Sequence, residues 1–255
     1  MSATTRSIPR IYLAEARFEM LRTYRVPGFT IPTLLFPALF YTFFAVVMGS
    51  RMAKYEMATY LLATYGTFGI MSPALFGFGV NTAVERGLGW LRLKRATPMP
   101  PMAYFVGKLT TAIVFASVVL AILFSLAATA GNVTLEPTQW LLLAVTLMLG
   151  TIPFCAMGLA FGSWLGPQSA APVVNIVYMA SAVFSGLWFP IILFPEPLKL
   201  VAHVLPPYHL AQLALGVVGL SEGEPVWMHI VVLAAFGVVG LVAATAGFRR
   251  PNADA

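Results

Sequence analysis

The sequence predicts an all-α polytopic membrane protein with six transmembrane helices, and three observations support this class. Of the 255 residues, 59% are hydrophobic and only 9% are charged, whereas soluble domains carry about 25% charged residues. Several uncharged runs are long enough for a helix to cross a hydrocarbon core about 30 Å thick. The cations lie in short clusters beside these runs, which is typical of membrane-topology anchors. We therefore expect membrane lipid as a partner and no nucleic acid.

Residues 1–27 are polar and rich in arginine, and we interpret them as a cytoplasmic leader without a signal peptide. Within the leader, residues 8–26 are predicted to form an interfacial helix that lies along the membrane and leads into the first span. A helical wheel separates apolar from charged side chains. The apolar face holds Leu13, Met20, Leu21 and Tyr24, and the charged face holds Glu15, Glu19 and Arg22. The alternative is a solvated leader with arginine anchors.

Residues 28–248 are predicted to form a single transmembrane domain whose spans are set by the uncharged runs. The first run is Gly28–Ser50 and the second is Met57–Val84. The third span is predicted to begin near Val106. Because a lysine can extend its amine to the interface along its apolar stem, Lys108 is expected to reach outward from this span.

The next 59 residues, 137–195, carry no charge, which is about the length of two crossings. Gly, Pro, Gln and Ser cluster in Gly162–Pro172, so we place the break between these two crossings there. Glycines at 158, 162 and 166 form overlapping GxxxG spacings, which favour tight helix packing over a ligand role. The last span is Pro225–Phe248, and 249–255 is predicted to be a cytoplasmic tail.

Residues 189–219 are predicted to form a re-entrant or external helical hairpin before the last span. The segment is too apolar for an aqueous loop, and its prolines prevent one straight helix. Its marker residues are Gly186, Pro190, Pro206 and Pro207. His203 and His209 lie six residues apart and do not share a helical face, so we interpret them as interfacial histidines and predict no metal site.

The distribution of cations predicts the orientation. Of the 15 Lys and Arg residues, 12 fall in the leader, in residues 85–108 or in the tail, and 3 fall between the spans on the other side. Because cytoplasmic loops are enriched in Lys and Arg, both termini are expected in the cytoplasm, with the protein integral to the inner (cytoplasmic) membrane.

Residues 85–108, here called the basic segment, separate two long apolar runs and read ERGLGWLRLKRATPMPPMAYFVGK. A Lys or Arg at mid-bilayer costs about 2.5–3.5 kcal/mol, so the five cations of this segment are expected in water or among headgroups. The sequence has no phosphate-binding Gly-x4-Gly-Lys-Ser/Thr loop, and its spans place no ionisable residue securely at mid-membrane. Energy for any transport is therefore expected to come from a partner.

The basic segment resembles the cytoplasmic loop of ABC type-2 permeases, which are membrane subunits of ATP-binding-cassette exporters. The positions in register are Glu85, Arg86, Gly89, Leu91, Arg92, Arg95, Thr97, Pro98, Gly107 and Lys108. Trp90 differs, since the family usually has threonine there. A second stretch, Ser185–Gly216, is similar to the family's segment before the last span.

The resemblance implies a subunit that is not catalytic alone and carries no cofactor. Two permease chains, identical or related, would pair with two separate ATPase subunits, which would bind ATP and Mg. The residues expected to dock on the ATPases and couple them to the spans are Glu85, Arg86, Gly89, Arg92, Lys94, Arg95 and Pro98. The external hairpin would cap the pathway.

The expected cargo of such an exporter is a hydrophobic or amphipathic small molecule or a lipid. Aromatic side chains of the first and fifth spans are candidates for its path, although such residues more often pack helices or face lipid. These residues are Phe36, Phe40, Phe43, Tyr178 and Phe184. A second hypothesis is a non-transporting membrane sensor or scaffold that signals to a cytoplasmic partner through the same segment.

Overall fold

A computed structural model of the chain describes residues 8–48, 54–97 and 99–250, and these residues are helical with no strand among them. The helices are α1 (Ile8–Tyr24), α2 (Pro27–Tyr41), α3 (Lys54–Leu75), α4 (Asn81–Gly87), α5 (Trp90–Arg95), α6 (Pro101–Thr129), α7 (Pro137–Trp164), α8 (Pro167–Phe184), α9 (Glu196–Val204), α10 (Pro206–Val217) and α11 (Val226–Phe248). Two π-helical segments extend them: Thr42–Met48 follows α2, and Phe76–Val80 joins α3 to α4.

Five stretches of helix are long and apolar enough to cross a membrane by themselves. They are Pro27–Met48, Met57–Gly87, Met102–Thr129, Pro137–Trp164 and Val226–Phe248. Met57–Gly87 is almost wholly buried by its neighbours, so the second span is the central helix of the bundle. The other helices surround it and leave their outer faces to lipid. The predicted all-α membrane fold is confirmed.

The helix α8 supplies a sixth crossing, as the positions of its two ends show. It begins at Pro167, which packs directly against Gly87 at one end of the second span. It ends before Gly186, whose carbonyl accepts a hydrogen bond of 3.1 Å from the hydroxyl of Tyr60 near the other end of that span. Its 18 residues, about 27 Å of helix, therefore run alongside the second span between these two contacts. The break before α8, at residues 165–166, lies within the predicted Gly162–Pro172.

The helices α9 and α10 form the bent pair expected before the last span. Their axes meet at 92° at Leu205, immediately before Pro206 and Pro207, which occupy the first turn of α10. The pair begins beyond Gly186 and ends at Val217, whose carbonyl accepts a hydrogen bond of 3.2 Å from Gln139 at the start of α7. Both ends lie at the same side of the bundle, so the pair is re-entrant, and this prediction is confirmed.

We call the other side of the bundle, which holds α1, α5 and the junction of α7 and α8, the basic side. The end of α11 also lies there, because Trp164 donates a hydrogen bond of 2.8 Å to the carbonyl of Ala243. Arg250 lies 3.4 Å above the ring of Trp164.

Two features of the third span differ from the prediction, namely where it begins and where the Lys108 side chain lies. The third span begins at Pro101, more than one turn before Val106, because proline is favoured at the first position of a helix. The expectation that Lys108 extends outward was wrong, since the side chain is only 3% exposed. The reason is a buried carboxylate that pairs with its amine, described below.

Candidate functional site: a buried charge network at the basic side

The basic segment folds as two short helices joined by a sharp turn. The second span ends in α4, and the chain then reverses through Gly89 into α5. Gly89 has φ +72°, a left-handed conformation that side chains other than glycine rarely adopt. Its carbonyl accepts hydrogen bonds from the backbone N–H groups of Arg92 and Leu93, which fixes the first turn of α5. This glycine therefore sets the angle between α4 and α5.

Glu85 on α4 is the centre of a buried charge network. Its side chain is fully buried, at 0% exposure. Its Oε1 accepts hydrogen bonds from the amine of Lys108 at 2.8 Å and from the guanidinium of Arg22. Its Oε2 accepts a hydrogen bond of 2.7 Å from the hydroxyl of Tyr104. One carboxylate thus connects the second span with the third span and with α1.

The helix α1 contributes two more carboxylates to the network. Glu15 and Glu19 both accept hydrogen bonds from the amine of Lys94 on α5, and the distance to Glu19 is 3.1 Å. Glu19 is 1% exposed and also lies 3.6 Å from the amine of Lys108. The charged face of α1 is therefore turned into the protein, while Leu13 and Tyr24 on the other face are exposed. Three carboxylates and three cations balance one another in this network.

Lys94 stays charged in this setting. Burial lowers the pKa of Lys94, but hydrogen bonds to Glu15 and Glu19 and the negative charges of both carboxylates outweigh burial, so the pKa is raised above its ordinary value. The amine also lies 4.6 Å from the centre of the Tyr104 ring, which favours a cation at that position. Lys94 consequently holds α5 to α1 by charge.

A stacked pair adds a second link between α1 and α5. The guanidinium of Arg22 lies 4.8 Å from the centre of the Trp90 ring. Trp90 is the position at which the chain departs from the usual threonine, and the structure gives the tryptophan a role that threonine could not fill. Cation–π contacts of this kind contribute about 0.5–2 kcal/mol.

Arg86 points away from this network and binds the end of α7. Its guanidinium donates hydrogen bonds to the backbone carbonyls of Ser163 and Leu165, the latter at 3.0 Å. The last carbonyls of a helix have no partner within the helix, so a buried arginine there both satisfies them and complements the helix dipole. Arg86 is 8% exposed and ties the second span to the fourth.

The predicted coupling residues differ in where the structure places them. Glu85, Arg86 and Lys94 lie in buried contacts, and Gly89 forms the turn between α4 and α5. Arg92 and Arg95 lie on α5, where Arg92 is exposed. Pro98 lies outside the described residues. Whether these residues dock on an ATPase stays a prediction.

The expectation that all five cations of the basic segment lie in water or among headgroups was wrong for Arg86 and Lys108, which are buried. Their cost of burial is offset by Glu85, Glu19 and the carbonyls at the end of α7. Glu85 also forms an ion pair with an arginine outside the basic segment, Arg22. Sequence analysis missed the partners Glu15, Glu19 and Tyr104. The spacing of Glu15 and Glu19, one helical turn apart on a helix beside a buried lysine, was the available signal.

The candidate path residues differ in how far they are buried. Tyr178 stacks on Phe68 with ring centres 4.7 Å apart, and its hydroxyl donates a hydrogen bond of 3.2 Å to the Phe68 carbonyl. Phe40 packs against Trp188 at 5.0 Å. The other three are exposed at the membrane face, namely Phe36, Phe43 and Phe184.

The comparisons with known proteins agree with this architecture. A family described as "ABC-2 family transporter protein" matches residues 53–246, which include the basic segment, the hairpin and nearly all of the last span. The chain belongs to the ABC-2 transporter family. It is also 27% identical over 219 residues to a protein of Bacillus subtilis (strain 168) named "Putative transport permease YvfS", a match that covers 86% of this chain and 89% of that protein.

Family membership states the function at a coarse level. This ABC-2 family chain is an integral membrane protein and the membrane subunit of a transporter. Membership in the family also implies ABC ATPases as its partners. The charge network lies at the basic side of the bundle. The basic segment, which resembles the family's cytoplasmic loop, lies at the same side.

Proposed function

We propose that this chain is the permease subunit of an ATP-binding-cassette exporter, which moves a hydrophobic or amphipathic small molecule or a lipid out of the cytoplasm. Two separate ATPase subunits, with their ATP and Mg, would drive it. The observation that carries the proposal is the outer surface of α5, which presents apolar and basic side chains directly above the buried charge network.

The surface at α5 has the composition of a protein-binding patch. Leu88 and Leu93 are 60% and 68% exposed, and Trp90 is 36% exposed. They lie beyond the ends of the spans, next to the cation Arg92. Exposed apolar side chains rimmed by charge indicate a protein interface. An ATPase that covered them would place the basic side, and with it both termini, at the cytoplasmic face of the inner membrane.

The network gives this patch a rigid connection to the spans. A displacement of α5 would act on α1 through Lys94 and on the second and third spans through Glu85, Tyr104 and Lys108. Because buried ion pairs resist separation, such a displacement would move the helices together. This would let an ATPase bias the bundle between inward- and outward-facing arrangements.

A second permease chain, identical or related, would pair through two of the helices that the single chain leaves poorly covered. The first span is one of these, and it exposes Phe36 and Phe43. The helix α8 exposes Ile176 and Phe184. Pairing through both helices would place these aromatic side chains at the boundary between two chains, where an amphipathic cargo could pass.

Replacing Leu88 and Leu93 together by aspartate is expected to uncouple the ATPase from the permease. Burial of one leucine contributes about 1.5–3 kcal/mol, so the loss of two should weaken docking by about 100-fold or more. The measurement is ATP turnover of the partner ATPase with and without the permease. Leu193→Asp is the matched control, because Leu193 is 70% exposed at the opposite side of the bundle. Equal stimulation by the double variant and the control would contradict docking at α5.

Transport itself is tested in liposomes that hold the permease with its ATPase, with the ATPase side facing outward. We expect ATP-dependent accumulation of a fluorescent amphipathic cargo in the liposome lumen, and none with the aspartate double variant. Accumulation in the reverse direction would overturn export. ATP turnover that responds to the permease without movement of any cargo would favour the sensor or scaffold hypothesis.

A further inference from the structure

The three histidines of the chain converge at the re-entrant pair, although sequence analysis treated two of them, His203 and His209, as separate interfacial residues. His203 lies on α9, His209 on α10 and His229 in the first turn of α11. His209 and His229 are each 2% exposed, and their Nδ1 atoms lie 2.9 Å apart. Glu224, in the loop before α11, lies beside both His203 and His229. The cluster therefore joins the hairpin to the last span.

Two backbone carbonyls fix the tautomers of two of these histidines. The Nε2 atom of His209 lies 2.9 Å from the carbonyl oxygen of His203, and the Nδ1 atom of His203 lies 2.6 Å from the carbonyl oxygen of Lys199. A carbonyl oxygen can only accept a hydrogen bond. The Nε2 atom of His209 and the Nδ1 atom of His203 must therefore each carry a hydrogen.

The assignment extends to the third histidine. In neutral His209 the Nδ1 atom has no hydrogen, so the hydrogen between the two Nδ1 atoms belongs to His229. Neutral His229 then has a bare Nε2 atom, and it faces Oε2 of Glu224 at 3.7 Å. The bare Nε2 atom of neutral His203 faces Oε1 of the same carboxylate at 3.3 Å. Two lone pairs and an ionised carboxylate would repel one another.

The surroundings supply little to relieve this repulsion. The hydroxyl of Tyr208 has a single hydrogen to share among three acceptors, which are Glu224 at 3.0 Å, Glu222 at 3.3 Å and the Nε2 atom of His203 at 3.3 Å. Lys199 is the only Lys or Arg between residues 109 and 248, and its amine pairs with Glu196 at 2.8 Å. From the neighbouring helices, Tyr60 of α3 donates to the carbonyl of Gly186, and the start of α7 brings only Glu136 and the neutral Gln139.

A single added proton would satisfy the geometry. On His229 it would turn Nε2 into a donor to Oε2 of Glu224, while Nδ1 continues to donate to His209. On His203 it would turn Nε2 into a donor to Oε1 of Glu224. We propose that the cluster is a proton-binding site, in which one proton shared by Glu224, His203 and His229 holds the hairpin to the last span. The proton comes from the surrounding water and returns to it, leaving an ionised Glu224 and neutral histidines.

The sign of the pH dependence follows from this arrangement. Because the shared proton holds the hairpin to the last span, this link is present at low pH and is lost as the pH rises and the proton leaves. The inference concerns the hairpin alone and does not depend on the direction of transport.

Nitrogen NMR of the chain labelled with ¹⁵N-histidine in lipid nanodiscs tests the proposal, since only three imidazoles contribute signals. Over a pH titration we expect a protonated Nε2 on His209 and a protonated Nδ1 on His203 throughout, and the uptake of one proton shared by His203 and His229. Three imidazoles that titrate independently of one another, or that stay neutral across the range, would overturn the site.

Two glutamine variants form a matched pair. Glu224→Gln removes the carboxylate that faces both histidines and should abolish the uptake of the shared proton. Glu222→Gln removes a neighbouring charge that contacts only the Tyr208 hydroxyl and should retain it. Identical spectra for the two variants would also overturn the proposal, and the wild-type titration decides it even if Glu224→Gln fails to fold.

Labelling of introduced cysteines tests whether the shared proton holds the hairpin to the last span. With the native Cys155 replaced, Ser221→Cys reports on the loop of the cluster and Thr134→Cys reports on another loop of the same side. The ratio of their labelling rates removes the intrinsic effect of pH on thiols. In the chain with Glu224 we expect this ratio to rise several-fold across the pH at which NMR shows the shared proton to leave. With Glu224→Gln the ratio should stay constant. A constant ratio in both would show that the proton does not hold the hairpin.

Discussion

Glu85→Gln is expected to lower the free energy of unfolding by about 3–5 kcal/mol, the cost of removing one partner from a buried ion pair. Glutamine has nearly the same shape as glutamate, so the packing of α4 is kept and only the charge is lost. Lys108, which is 3% exposed, would then keep only Glu19, 3.6 Å away, as a counter-charge. The measurement is unfolding by denaturant in detergent micelles, followed by helix content.

The double variant Glu85→Gln with Lys108→Met separates charge from packing. If the loss comes from the unpaired ammonium, removal of that ammonium should restore most of the stability, because a buried pair can often be replaced by uncharged groups of similar volume at little cost. Glu196→Gln is the control for a change of charge at an exposed position, because the Glu196 side chain is 84% exposed. A Glu85→Gln protein as stable as the wild type would show that the network contributes little to the fold.

The spans could be predicted from the sequence because each is a long uncharged run, and hydropathy depends only on neighbouring residues. The break between α7 and α8 could be predicted for the same reason, since Gly166, Pro167 and Gln168 lie next to one another. The bend at Leu205 followed from the two prolines after it. These features are local in the chain.

The charge network could not be predicted in full because its pairs are distant in sequence. Arg22 and Glu85 are 63 residues apart, and Lys94 and Glu15 are 79 apart. Lys108 looked like an interfacial lysine because nothing near it in sequence shows that Glu85 lies against it. The histidine cluster was missed for the same reason, since His229 was assigned to the last span and its distance from His209 was not foreseen. Charged residues next to apolar runs were read as anchors, whereas here they pair with one another.

The GxxxG spacing on α7 was expected to bring helices close together, and the structure confirms this for Gly158 and Gly162. A methyl group at Gly162 would lie 2.7 Å from the carbonyl oxygen of Phe78 and 2.8 Å from that of Gly79. A methyl group at Gly158 would lie 2.8 Å from the carbonyl oxygen of Ala74. These are backbone atoms, so no side chain can turn aside to make room.

Gly162→Ala is therefore expected to destabilise the fold by about 1–3 kcal/mol or more, as overpacking of a close contact does. The chain provides its own control, because Gly166 belongs to the same overlapping spacing but has only the Ser169 hydroxyl oxygen nearby, at 3.7 Å. Gly166→Ala should change the free energy of unfolding by less than about 0.5 kcal/mol, as surface substitutions usually do. The test compares denaturant unfolding of the two variants in the same detergent. A Gly162→Ala protein as stable as Gly166→Ala would contradict the close contact, whereas a loss confined to Gly162→Ala would show that the second and fourth spans touch through their backbones.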